Sequence, residues 1–157
     1  MIQRLFEILN DRSKKLAAAE SLTGGLFAAS LTAVPGASKV FAGATVTYSN
    51  DSKVALGVSK ETLEKFGAVS KETAKEMAIA AARFHRCDIA CSFTGNAGPD
   101  ALEGKKVGEV FIGILIADQV TVYKLQLDGD RQKIREQCVN FAIKTLIESL
   151  EEKPLEN

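Results

Sequence analysis

The sequence predicts an α/β fold: a three-layer α/β/α sandwich with a mixed central sheet, as a single domain over 1–157. Three observations point there. Short apolar runs of strand type alternate with segments whose apolar residues recur at helical spacing. Two β-rich runs near the C-terminal end follow one another directly and form a hairpin, so the sheet is mixed rather than all parallel. The chain's 157 residues, 46% of them hydrophobic, are enough for one real core and too few for two ordinary domains.

Ile2, Leu5, Phe6 and Leu9 give an amphipathic first helix ending near Asp11 to Lys14. Leu16 to Ala19 reads as a short buried strand, and Ser21-Leu22-Thr23-Gly24-Gly25 offers a turn and cap before a small-residue helix, Leu26 to Ala33, stopped by Pro35-Gly36. Val40 to Tyr48 is a strand emptying into the Ser49-Asn50-Asp51 turn, and Lys53 begins or follows the next short helix. Ser59-Lys60-Glu61-Thr62 and Ser70-Lys71-Glu72-Thr73 each place a serine cap before an acidic first turn, so helices are expected near 60–65 and 71–85. Asp88 to Phe93 is a compact strand running into Thr94-Gly95-Asn96-Ala97-Gly98-Pro99-Asp100, a loop at a strand end and hence an expected ligand wall. Strands Val107 to Ile116 and Val120 to Leu127 are joined at Ala117-Asp118-Gln119. A closing helix, Arg131 to Leu150, carries an apolar stripe of Ile134, Cys138, Phe141, Ile143, Ile147 and Leu150, and 151–157 reads as a frayed tail.

Twenty basic residues balance twenty acidic ones, so no overall field favours nucleic acid or an anionic membrane. The longest apolar runs are broken by Gly108, Glu109 and Gly113, and no basic-then-apolar signal opens the chain, so a cytoplasmic protein without nucleic-acid or membrane partners is expected. Cys87, Cys91 and Cys138 lack CxxC spacing, and His85 is the single histidine, so no metal site is expected and the thiols read as reduced core residues. Cys87 and Cys91, four residues apart, are expected on one strand face. His85, at a helix end, suits a carbonyl cap better than a catalytic pair with cysteine.

The chemistry concentrates in two segments. Ser21 at a strand-to-helix turn would hold its hydroxyl over a crevice, with the amides of Thr23, Gly24 and Gly25 placed to receive an oxyanion or phosphate. The plainer reading is a helix cap with packing glycines. Lys53 can serve as base to Ser21 if burial lowers its pKa, and otherwise is a solvated charge after a turn. Tyr48 can relay or orient the proton or donate to a tetrahedral intermediate; its alternative is a strand-end aromatic reaching solvent. Glu20 can hold a ribose hydroxyl, tune Lys53, or cap the neighbouring turn. Arg131 is shaped for a carboxylate or phosphate, or for a helix-start salt bridge with Asp128 or Asp130. A phosphate-loop reading of Gly98 to Lys105 fails, because five residues separate Gly98 from Gly104 where four are required.

Taken in order, Ala19 to Gly25, Val34-Pro35-Gly36-Ala37-Ser38, Tyr48 to Lys53, Gly67-Ala68-Val69-Ser70, Thr94 to Pro99 and Gly129-Asp130-Arg131 closely resemble the CinA C-terminal domain family across nearly the whole chain. The resemblance implies nicotinamide-nucleotide amidohydrolase activity without a cofactor: nicotinamide mononucleotide, a small-molecule substrate, is hydrolysed to nicotinate mononucleotide and ammonia in pyridine nucleotide salvage. It implies Ser21 as nucleophile, Lys53 as base and Tyr48 as its assistant. Glu20, Thr23, Gly24, Gly25, Thr94, Gly95, Asn96, Gly98 and Arg131 would line the oxyanion and nucleotide sites. Members often carry a further N-terminal domain with a metal-dependent pyrophosphatase activity, for which this length leaves no room. The chain departs from the family pattern at Leu22, usually cysteine, at Asn96, usually aliphatic, and over Ala101 to Lys106, which lacks the glycine-rich run and Lys-Pro step. A non-catalytic nucleotide-binding or regulatory module, and an amidase for another small carboxamide, are the alternatives; a homo-oligomer is allowed.

Overall fold

The computed structural model describes residues 1–152. Five strands form one sheet in the order β2-β1-β3-β4-β5: β1 (Leu16–Glu20), β2 (Phe41–Val46), β3 (Ile89–Gly95), β4 (Glu109–Ile116) and β5 (Gln119–Gln126). β1 is parallel to both β2 and β3, whereas β4 is antiparallel to β3 and β5, which makes the sheet mixed, as expected. Alternating residues split the central strands between two cores. Leu16, Ala18, Ile89, Cys91 and Phe93 pack with α1 (Ile2–Asp11), α2 (Leu26–Thr32), α3 (Ala37–Val40) and α7 (Arg131–Glu152). Ala17, Ala19 and Ala90 face α4 (Asn50–Leu56), α5 (Lys60–Phe66) and α6 (Lys71–His85). This is the three-layer arrangement the alternation of elements predicts.

Several boundaries differ from expectation for local reasons. Val40 belongs to the four-residue helix α3, so β2 starts at Phe41 and has ended before Thr47 and Tyr48. Thr94 and Gly95 are not loop residues: they pair with Phe111 and Val110 and prolong β3. Val107 and Gly108 fall before β4, and the hairpin turn is only Ala117-Asp118, with Ala117 left-handed at φ 57°. Glu151 and Glu152 continue α7 rather than fraying; the remainder of the expected tail, 153–157, lies outside the described residues. Cys87 and Cys91 do not share a strand face, because Cys87 precedes β3 and packs beside the α6 core while Cys91 is buried in the other.

Both Ser-Lys-Glu-Thr segments are N-caps, with Ser59 and Ser70 accepting from the amides of Thr62 and Thr73. Ser49 caps α4 reciprocally with Ser52. Lys53 therefore sits one turn inside α4, at a helical position that faces inward. Among the described residues no helix is long and apolar enough to cross a membrane.

Candidate active site

Ser21 follows the last residue of β1 directly, and its amide donates to Phe93 O of β3 at 2.9 Å. That bond carries the sheet one residue past the strand and fixes where the Ser21 hydroxyl stands. The chain then turns tightly: Gly24 N donates to Ser21 O at 3.0 Å, and Gly24 and Gly25 both take positive φ, 55° and 102°. Glu20 is fully buried, and its carboxylate accepts from Phe27 N and Ala28 N at 2.9 and 3.1 Å. It satisfies the first turn of α2, whose N-cap Gly25 has no side chain to do so. Of the three roles open to Glu20, helix capping is the one its geometry fills.

Lys53 Nζ reaches Ser21 Oγ at 3.0 Å, Thr47 O at 2.8 Å and Tyr48 O at 3.5 Å. The side chain is 1% exposed. Burial pulls its ammonium down from the ordinary 10.5 to about 8, against the opposing charge of Glu103. In its neutral form the amine has two N–H groups for the two carbonyls, and its lone pair is then directed at the Ser21 hydroxyl.

These groups border a cavity of about 510 Å³ at the C-terminal ends of β1 and β3. One wall is the connection 96–108, including Gly98, which has φ 82° and where a Cβ would meet Val107 Cγ1 at 2.6 Å. Arg131 of α7 donates from Nη1 to Gly98 O at 2.7 Å and from Nη2 to the Tyr48 hydroxyl at 2.9 Å. It makes neither of the salt bridges considered for it; Asp130 instead caps α7 by accepting from Lys133 N at 2.9 Å. The Tyr48 side chain is 60% exposed at the rim, so its backbone carbonyl, not its hydroxyl, addresses Lys53.

Ser21, Lys53, Tyr48, Thr94, Gly95, Gly98 and Arg131 thus meet in one cavity; Glu20, Thr23, Gly24, Gly25 and Asn96 do not line it. The Gly24 amide is consumed inside its own turn, which removes it as an oxyanion donor. Among the described residues the amides of Leu22, Thr23 and Gly25 have no acceptor, and of these three residues Leu22 is the one that lines the cavity. Thr23 is fully buried behind the turn. Asn96 is a loop brace: its Nδ2 donates to the carbonyls of Leu102, Lys105 and Lys106 at 3.2, 3.1 and 3.4 Å. Thr94 lends its hydroxyl to Ala68 O at 2.7 Å, tying a second wall to the strand end.

Two participants carry no local sequence signal. Arg135 donates from Nε to Leu22 O at 3.0 Å and from Nη2 to Thr23 O at 2.8 Å, clamping the 21–25 turn from α7. Glu103 lines the cavity from the loop. His85 has no thiol partner for catalysis: its Nε2 lies 3.1 Å from Thr45 Oγ1, and burial lowers its pKa. Among the described residues no group of three His, Cys, Asp or Glu converges as a metal site.

The family profile of the CinA C-terminal domain matches residues 1–150. The chain is 46% identical over 153 residues to a CinA-like protein of Petrotoga mobilis, covering 96% of this chain and 38% of that protein. It is 44% identical over 154 residues to a putative competence-damage inducible protein of Bacillus subtilis, covering 98% and 37%. The chain therefore spans less than two fifths of the length of these relatives. Among solved structures, a CinA superfamily protein from Klebsiella pneumoniae superposes with TM-score 0.94 at 32% identity, over 97% of this chain and 96% of that one. The competence/damage inducible protein CihA from Agrobacterium tumefaciens gives 0.89 at 37% identity, over 94% and 92%. With one profile spanning nearly every element described above, and relatives sharing both sequence and fold, the chain belongs to the CinA C-terminal domain family.

Proposed function

We propose that this protein is a serine amidase that hydrolyses the carboxamide of a nicotinamide nucleotide, nicotinamide mononucleotide in the first instance, to the carboxylate and ammonia. The observation that carries the reading is the 3.0 Å approach of Lys53 Nζ to Ser21 Oγ inside a cavity, with the lysine's pKa at about 8. Roughly a tenth of such a lysine is neutral at pH 7. The neutral amine takes the proton as Ser21 Oγ attacks the carboxamide carbon, and the resulting ammonium returns it to the departing nitrogen. Ammonia leaves and a nicotinoyl ester of Ser21 remains. Water then attacks the ester with Lys53 again as base, and the Ser21 oxygen recovers its proton as nicotinate nucleotide departs. Of the amides this turn leaves uncommitted, that of Leu22 belongs to a residue on the cavity wall and would donate to the developing oxyanion. Arg131 and Tyr48, at the rim, suit the anionic nucleotide end.

Pure protein mixed with nicotinamide mononucleotide should release ammonia, and kcat/KM should climb with pH to a plateau above about 8. Ser21→Ala and Lys53→Ala should each lose at least about a thousandfold while keeping the fold. No ammonia at high enzyme concentration, or full activity in either variant, would sink the reading. A panel of other small carboxamides run alongside ranks the substrates.

A further inference from the structure

One wall of the cavity is irregular chain, braced within itself by Asn96 and joined to the neighbouring 67–69 turn by one carboxylate. Glu103 accepts from Ala68 N at 2.8 Å and Val69 N at 2.9 Å, joining the 96–108 connection to the 67–69 turn. Ala68, Val69, Leu102 and Glu103 all line the cavity, so this junction is part of its wall. The turn is anchored independently: Thr94 holds Ala68 O, while the Ser70 and Thr73 hydroxyls donate to Gly67 O at 2.9 and 2.7 Å. Gly67 takes φ 79°, and a Cβ there would meet Glu103 Oε2 at 2.7 Å, so the carboxylate rests on bare backbone. Among the described residues Glu103 forms no ion pair within 4.0 Å.

We propose that Glu103 is a positioning residue of this site: its carboxylate latches the loop wall onto the 67–69 turn and presents a negative charge to the Lys53–Ser21 pair. The consequence for catalysis rests on the amidase reading; the effect on Lys53 does not. Glu103 is the acidic group whose charge acts on Lys53, opposing the desolvation of its ammonium. The other titratable or charged groups are Asp100, Arg131 and Tyr48 on the cavity wall, Asp51 on α4 itself, Glu76 on α6, which packs against α4, and Glu20, which precedes Ser21 at the end of β1. Glu20 is turned onto the α2 amides, Glu76 accepts from Ser59 N, and Arg131 is bound to Gly98 and Tyr48.

The test is a titration of lysine side chains isotopically labelled at Cε and Nζ, followed by NMR in the full chain, with the Lys53 signal assigned from its loss in Lys53→Met. In Glu103→Gln, which keeps size and one acceptor but removes the charge, Lys53 should titrate at lower pH than in the parent. Glu103→Asp, which keeps the charge, should stay closer to the parent. In the ammonia assay Glu103→Gln should move the acid limb of the pH profile to lower pH, with kcat/KM on the plateau falling roughly tenfold as the wall loosens. An unchanged or raised Lys53 midpoint in Glu103→Gln overturns the proposal whatever the turnover. A lowered midpoint in a protein that releases no ammonia would keep Glu103's role and reject the amidase reading.

Discussion

On the amidase reading, Lys53 is where function and stability oppose each other. Its ammonium is buried in α4 against two backbone carbonyls and Ser21, and the unfolded chain would solvate it freely. In the unfolded state the proton is held up to 10.5, in the folded state only to about 8. The unfolded state therefore binds more protons between those values, and stability rises with pH across that window. Below pH 8 the full penalty applies, on the order of 3 kcal/mol for this interval. Urea unfolding of the parent and of Lys53→Met at pH 7 and pH 10 should show the parent gaining roughly 2–3 kcal/mol relative to the variant as pH rises. A constant difference would mean that Lys53 titrates as an ordinary surface lysine, and the base assignment would lose its physical ground.

At the scale of elements, the 21–25 turn is held from both ends by charged side chains that do not line the cavity. Glu20 satisfies the start of α2, and Arg135 ties the carbonyls of Leu22 and Thr23 to α7. Fixing those carbonyls also fixes the peptide planes that carry the neighbouring amides. Arg135→Lys keeps the charge but loses the two-pronged geometry. On the amidase reading it should lower kcat about tenfold with KM little changed. Steady-state ammonia release separates the two, and a rise in KM at constant kcat would reassign Arg135 to substrate binding. The same elements mark what the sequence can reveal. The caps at Ser59 and Ser70, the amphipathic stripe of α7 and the hairpin follow from local spacing, and local spacing predicted them. Ser21 and Lys53 were legible as candidates by type, each beside a plainer reading as cap or surface charge, and only the order of the six segments paired them. Glu103, Arg135 and the bracing role of Asn96 were not, because each depends on which backbone atoms a loop meets across space. Thr94 and Gly95 carry no strand signal of their own, because their pairing is with Phe111 and Val110 across the 96–108 connection.

The whole molecule explains why the cavity is where it is. From β1 the chain leaves through α2 and α3 to β2 on one side; from β3 it leaves through the 96–108 connection to β4 on the other. Diverging connections at the carboxyl ends of adjacent parallel strands open a crevice, and Ser21 and Thr94–Gly95 stand at those two ends. The crevice keeps its shape only while α6 stays seated, since α6 packs across β1, β3, β4 and β5 beneath the turn that Glu103 holds. Its seat is a close approach: Ser92 Oγ donates to Ala74 O at 2.6 Å directly over Gly113 of β4. A Cβ at Gly113 would lie 2.5 Å from Ser92 Oγ and 2.8 Å from Ala74 O, the latter backbone that cannot rotate away. Gly113→Ala should thus cost about 2–3 kcal/mol by overpacking, lowering Tm by roughly 4–12 °C in a chain of this size. Ser92→Ala added to it removes the nearer clashing atom, so the double variant should recover part of the loss, and thermal unfolding of the four proteins measures that coupling. Equal Tm values for the parent and Gly113→Ala would show that α6 can lift from the sheet without cost, and the rigid floor argued for this cavity would be wrong.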